Sequence, residues 1–458
     1  MDPTDIFLTL KTVFQKDKDL RWVLLGVLTG IAAFFAGGLP FTLLILMGLF
    51  LVGTILKPEL GLILLPLFVL LDFVVKTYTS GLFGLWDELI FLLLLAVILL
   101  RKVQRKKRFL RFTSILYPVT LFFLAGLLST FLSPYVTLSQ GIEGIRSVLQ
   151  PFLVFLIIIN SDIDNKFARL LLFISLLVAV GAALFGLYQY IVGVASPPTW
   201  VDKDMEHGLS RAFSILGSPN AFAAYGVLFT PISLGFLMQP KLTKTQKTIF
   251  ASCFLFLLIG ILTTLTRAAW LAFIPAIFLF GILAKQTKIV MPILIILIAS
   301  VFLVAPIRQR FTNFFTEKYQ EKSEGGGRTY RWNLAIELFE DRPVLGRGPG
   351  SFGGAVAYRA QAFKGLYVDN YYLEILSNYG LVGLLLFLWI LLECFRNLFY
   401  DTSLSKNPRT QILSYGVLCG LIGFLLHNFT ENIWEIIPLA VQFWFLLGIA
   451  LQILKTEE

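Results

Sequence analysis

YYLEILSNYGLVGLLLFLWILL, residues 371–392, carries a single charged side chain, Glu374. As a helix this run spans the roughly 30 Å hydrocarbon core of a bilayer. In hydrocarbon each backbone polar group must be satisfied within its own segment, which a helix does. Comparable apolar runs recur from Arg21 to Leu454. The whole chain agrees: it is 57% hydrophobic, 15% aromatic and 14% charged, far from the usage of a soluble domain. The expected fold is an all-α polytopic membrane protein with about 12–14 transmembrane helices and one large outer loop that carries a short amphipathic helix.

Spans are expected at 21–38, 39–56, 60–75, 88–100, 112–131, 144–160, 168–193, 219–238, 248–266, 269–284, 289–306, 373–395, 411–427 and 436–454. With the N-terminus in the cytoplasm, the basic segments 101–111, 239–247, 285–288 and 395–409 all fall inside, as the positive-inside rule requires. The C-terminus then lies inside too. The start, MDPTDIFLTLKTVFQKDKDLR, lacks the pattern of a cleaved signal peptide, so the first helix is expected to remain. The organisation expected is a cytoplasmic segment at 1–20, transmembrane helices over 21–306, a large extracytoplasmic loop at 307–372 and C-terminal transmembrane helices over 373–454. A net charge of +10 is spread through short loops, where it sets orientation, and gives no reason to expect nucleic acid. Cys253, Cys394 and Cys419 all lie within apolar runs and read as small buried hydrophobes.

Ten of the 38 lysines and arginines fall in the 307–372 loop, which contains GGGRTYRWNLAIELFEDRPVLGRGPGSF at 325–352. Trp332, Ala335, Ile336 and Phe339 recur at helical spacing opposite Asn333, Glu337 and Glu340, an amphipathic helix of about three turns that Pro343 ends. Gly346, Gly348 and Gly350 supply a permissive turn. GRGPG lacks the Lys-Ser/Thr ending of a P-loop and its strand-to-helix setting, so nucleotide binding is rejected.

Other polar residues gather at expected membrane edges. Arg267 stands between two apolar runs, where it either snorkels to headgroups or meets an anionic ligand. Arg211 opens RAFSILGSPNAFAAYG, in which Gly217, Pro219 and Asn220 form a turn before a span. Asp369 and Asn370 precede the re-entering span, either as a helix N-cap or with the aspartate as a general base. His207 and His427 are the only histidines, so a His-rich metal site is excluded and no metal or other cofactor is expected. Asn428-Phe429-Thr430 fits a glycosylation sequon, to which no function is assigned.

In this order, Arg211…Gly217-Ser218-Pro219-Asn220, then LTTLTRAAW, then RTYRWNLAIELFEDRPVLGRGPGSF, then DNYYLEILSNYGLVGLLLF, the chain resembles the O-antigen ligase and polysaccharide polymerase superfamily. The resemblance covers about the last 250 residues and is most specific from Arg328 to Phe387. It implies a glycosyltransferase of the bacterial inner (plasma) membrane that takes a glycan from an undecaprenyl-diphosphate carrier on the outer face. The glycan is passed to a glycan or lipid acceptor. The family's arginines hold the diphosphate, which points to Arg211, Arg267, Arg328 and Arg331. The family's histidine-asparagine pair reads Asp369-Asn370 here. Asp369 is accordingly the candidate base, with His427 and His207 behind it, and the missing histidine favours polymerase over ligase.

A solute transporter of the inorganic-carbon type, which shares a similar loop, is the alternative from a different class. Transport calls for ionisable groups or broken helices near the bilayer midplane. Here the spans are largely uncharged, apart from Asp72 and Glu393, and the polar residues collect at one face instead.

Overall fold

Long apolar segments leave the backbone little choice but to bond to itself, and each one among the described residues is α-helical. The computed structural model describes residues 52–78, 85–197 and 210–455. The spans expected at 21–38 and, in the main, at 39–56 lie outside these residues, as do the 1–20 segment and His207. Six helices have the length and composition to cross a membrane: Asn165–Val192, Pro219–Leu237, Lys244–Thr263, Tyr371–Leu404, Pro408–His427 and Ile437–Lys455. Shorter apolar helices include Leu116–Leu132 and Arg267–Leu283. The protein is an all-α polytopic membrane protein. The span expected at 144–160 is two helices, Leu138–Leu149 and Phe152–Asn160, interrupted at Gln150 and Pro151. Proline removes a backbone donor and clashes with the preceding turn, which breaks the helix there.

The chain forms two compact units. One contains the described residues from 52 to 111, Phe152–Val178 and residues 444–455. Aromatic contacts fill it: Phe68 stacks on Trp86 at 5.1 Å, and Phe152 meets Trp444 edge-on at 4.9 Å. Lys102 donates to Asn160 Oδ1 at 2.8 Å, which satisfies a cation that the fold buries.

The other unit, Phe112–Pro151 with Ala179–Phe443, holds every candidate site residue that is described. Its centre is the pair Pro219–Leu237 and Pro408–His427. Gly416 and Gly420 of the second helix face backbone of the first so closely that a Cβ at Gly416 would lie 2.7 Å from Pro231 O. Apolar lipid gives such helices no hydrophobic drive to associate, so close approach at small residues supplies the packing energy. Ser218 caps the first helix by accepting from Ala221 N at 3.3 Å, with Pro219 at its first position.

The helix expected in the 307–372 loop exists and runs Arg328–Asp341, 14 residues, a turn longer than expected. Its buried face is Ala335 and Leu338, which pack with Phe352 and Val368, and Trp332, Leu334 and Leu373 at the margin. The expected Ile336 is exposed and Phe339 half-buried. Pro343 follows the helix as expected, with Arg342 as its cap. Beyond it, residues 343–350 dock on a break in the long helix Tyr371–Leu404. Gly380 takes φ 68° there, and the opened turn donates from Leu381 N to Pro343 O at 2.8 Å. In return Arg347 N donates to Ser377 O and Gly348 N to Asn378 O, both at 3.0 Å. Gly346, Gly348 and Gly350, with φ of 69°, 109° and 75°, hold the turn in conformations that other residues adopt only with strain.

Candidate functional site

Arg211 is buried, only 6% exposed. Its Nε donates to the Thr264 carbonyl at 2.9 Å and its Nη2 to Asn220 Oδ1 at 3.0 Å and Thr266 Oγ1 at 3.1 Å. Three segments meet here: the approach to Pro219–Leu237, the first turn of that helix and the Thr264–Thr266 corner. The corner is tight, with Leu265 at φ 52°. It places Arg267 at the first position of the helix Arg267–Leu283, with its guanidinium over Phe314 at 5.2 Å and Tyr319 at 5.0 Å. Both rings belong to the 307–372 segment, and cation–π attraction holds the arginine against it.

Tyr319 also accepts a hydrogen bond from Arg328. That residue begins the helix Arg328–Asp341, one turn from Arg331. Arg331 Nη1 lies 2.7 Å from Asp369 Oδ2 and 2.9 Å from the Tyr367 carbonyl, while Arg328 Nε lies 3.8 Å from the same Asp369 oxygen. Asp369 sits at φ 51°, a left-handed conformation that turns its side chain away from capping duty. Asn370 is the cap instead and accepts from Tyr372 N and Leu373 N at 3.1 Å each. Of the pair, Asn370 is the helix N-cap and Asp369 lies in ion pairs with Arg331 and Arg328.

One central residue escaped the sequence reading. Glu431, 5% exposed, accepts from Arg328 Nη2 and is hydrogen-bonded by Asn220, the same amide whose Oδ1 receives Arg211. Burial pushes its carboxyl up to about 7 even though Arg328 pulls the other way. Burial likewise works against the charge on Arg328, but Glu431 and Asp369 outweigh it and the net effect is upward. The readable signal was HNFTENIWE itself: a glutamate in a short turn between two apolar runs needs a cationic partner at the bundle end.

The other polar residues of that turn are structural. Asn428 is buried, with Oδ1 accepting from Trp434 N and Nδ2 donating to Phe424 O, both at 2.9 Å, which leaves the sequon no role as a surface acceptor. Asn432 ties the turn to the loop, accepting from Asn370 N at 3.0 Å and donating to Gly353 O at 3.0 Å and to Glu374. His427 is wholly buried at the end of its helix, within electrostatic reach of Arg328, and neither ring nitrogen has a hydrogen-bond partner.

The GRGPG arginine, Arg347, is engaged elsewhere. Its guanidinium lies 3.5 Å from the Tyr135 ring centroid and 2.7 Å from Asp341 Oδ2. Among the described residues no group of three or more His, Cys, Asp or Glu is arranged to hold a metal ion, and Cys253, Cys394 and Cys419 are free and buried.

The geometry therefore joins Arg211, Arg328, Arg331 and Asp369 through Glu431 and Asn220, with Arg267 linked through Tyr319. Three arginines face two carboxylates, and the fourth, Arg267, stands against Tyr319 beside them. Such a surplus of poorly hydrated positive charge suits a ligand with two or more negative charges, and planar guanidinium forks suit phosphate oxygens in particular. Residues 252–388 match the family model described as O-Antigen ligase. That stretch includes Arg267, Arg328, Arg331 and Asp369, but stops short of His427 and Glu431. No curated protein matches the chain.

Proposed function

The match over residues 252–388 supports membership of the O-antigen ligase superfamily, and from that premise we propose a membrane glycosyltransferase acting on the outer face of a bacterial inner membrane. Its donor is a glycan on an undecaprenyl-diphosphate carrier, and its acceptor is a hydroxyl of a second glycan or a lipid. Both termini lie in the cytoplasm, and the 307–372 segment covers the extracytoplasmic end of the bundle. The observation that supports this most is the gathering of Arg211, Arg328 and Arg331, with Arg267 linked through Tyr319, from three separate parts of the chain around the buried Glu431 and the part-exposed Asp369.

The chemistry needs little more than that cluster. The acceptor oxygen attacks the anomeric carbon, the carbon–oxygen bond to phosphate breaks, and its electron pair leaves on the carrier diphosphate. Arginines already in place stabilise that charge without having to reorganise. The hydroxyl proton passes to a carboxylate of the same cluster, for which Asp369 is the candidate offered by the sequence. Gly346, Gly348 and Gly350, through the docked turn, and Asn370, through its cap, hold the loop in register with the re-entering helix.

The test is transfer by purified protein in liposomes from a labelled undecaprenyl-diphosphate oligosaccharide, resolved on a gel. A ladder identifies a polymerase, and a single product on an offered acceptor identifies a ligase. Arg267→Ala is expected to lower the yield about 10- to 100-fold, as loss of a charge-assisted phosphate contact does. No product from the wild type with any acceptor contradicts the proposal and turns attention to solute uptake.

A further inference from the structure

The groups around Glu431 divide into those that hold charge and one that can give it up. Asn220 Oδ1 takes hydrogen bonds from Arg211 and from Thr266 Oγ1, at 3.0 and 3.2 Å, so its Nδ2 is the donor toward Glu431. The amide is locked in one sense. Arg328 supplies the second donor from the loop helix. The charged groups facing Glu431 are Arg328 on that helix, Asp369 before the re-entering helix, and Arg211 beside Pro219–Leu237; His427, on its own side of the turn, lies near Arg328. Positive and negative neighbours thus oppose each other around a carboxylate that is removed from water.

Asp369 has a different setting. Both of its ion-pair partners are arginines, at 2.7 and 3.8 Å, and its side chain is 22% exposed. Bridging two guanidiniums, Asp369 fixes Arg328 and Arg331 relative to each other at the start of the loop helix.

We propose that Glu431 is the general base of the transfer reaction and that Asp369 is a positioning residue for Arg328 and Arg331. The proposal rests on the glycosyltransferase reading above. In the step, the acceptor O–H bond breaks toward Glu431, the oxygen lone pair forms the new bond to the anomeric carbon, and the old carbon–oxygen pair leaves on the diphosphate. Glu431 becomes a neutral acid and later returns the proton to solvent. Neutralising it also releases Arg328 from its ion pair at the moment when the diphosphate gains charge, so one proton transfer hands the arginine from enzyme carboxylate to leaving group. The base works ionised, so transfer rises as pH passes upward through the carboxyl's titration, which burial has moved to about 7.

The experiment measures transfer against pH for full-length wild type, Glu431→Gln, Glu431→Asp and Asp369→Asn in liposomes, with binding of the labelled donor measured in parallel. For Glu431→Gln we expect donor binding close to wild type, transfer reduced about 100-fold or more, and no rising limb near neutrality. Glu431→Asp should restore part of the rate along with the limb, which a purely structural role would not produce. Asp369→Asn should weaken donor binding and keep the limb. If Glu431→Gln keeps the limb, or if Asp369→Asn is the variant that loses it, Glu431 is not the base, while transfer by the wild type leaves the glycosyltransferase reading standing. A wild type that neither binds nor transfers the donor overturns both.

Discussion

Glu374 and Glu435 hydrogen-bond to each other inside the second unit, a contact that exists only while a proton lies between them. Glu435 also accepts from Ala355 N at 2.9 Å, so the pair pins the end of the 307–372 loop to the turn before the last helix. Burial raises the Glu435 carboxyl above the ordinary glutamate value. A carboxyl raised in the folded state contributes stability that is full below its unfolded pKa and is lost as pH rises through the folded one. The melting temperature should therefore fall as pH is raised from about 4.3 upward, and Glu435→Gln, which keeps a hydrogen bond without needing the proton, should flatten that fall. An unchanged slope in the variant would remove this pair from the account. Neither Glu374 nor Glu435 was legible as a partner from sequence, because 61 residues separate them. Glu431 was hidden for the same reason: its partners, Asn220 and Arg328, are brought to it by two different helices, distant in sequence. Arg211, Arg267, Arg328 and Arg331 could be picked out because charge beside an apolar run is conspicuous wherever the chain goes.

At the level of elements, period was readable and orientation was not. The spacing of Trp332, Ala335, Ile336 and Phe339 found the helix Arg328–Asp341, but a 14-residue amphipathic segment offers more than one plausible face. Phe352 and Val368, distant in sequence, choose Leu338 over Ile336. The break at Gly380 was equally silent, since a lone glycine within an apolar run is tolerated in an intact helix. The structure makes it a docking point: its φ is 68°, and a Cβ there would run into Val344 O and Gly346 N. Gly380→Ala should therefore cost about 1–3 kcal/mol and free the 343–350 turn, with melting temperature and limited proteolysis at that turn as the measures. Wild-type stability and protection in the variant would mean that the break is incidental.

Across the whole molecule, composition alone set the class: the chain has no choice but to be helical where it is oily, and six helices long enough to cross a bilayer are present among the described residues. Which polar residues share a site is a matter of tertiary placement, and the candidate arginines prove to be joined through Asn220, Glu431 and Tyr319. In the proposed function this cluster lies on the extracytoplasmic side, where the diphosphate of a lipid carrier would present two phosphates to it. The most direct test is equilibrium binding of a labelled undecaprenyl-diphosphate oligosaccharide to purified wild type, Arg211→Ala and Arg328→Ala in micelles, with folding checked by melting temperature. The account predicts binding by the wild type and a weakening of about 10- to 100-fold in each folded variant. Equal affinity in all three would contradict it.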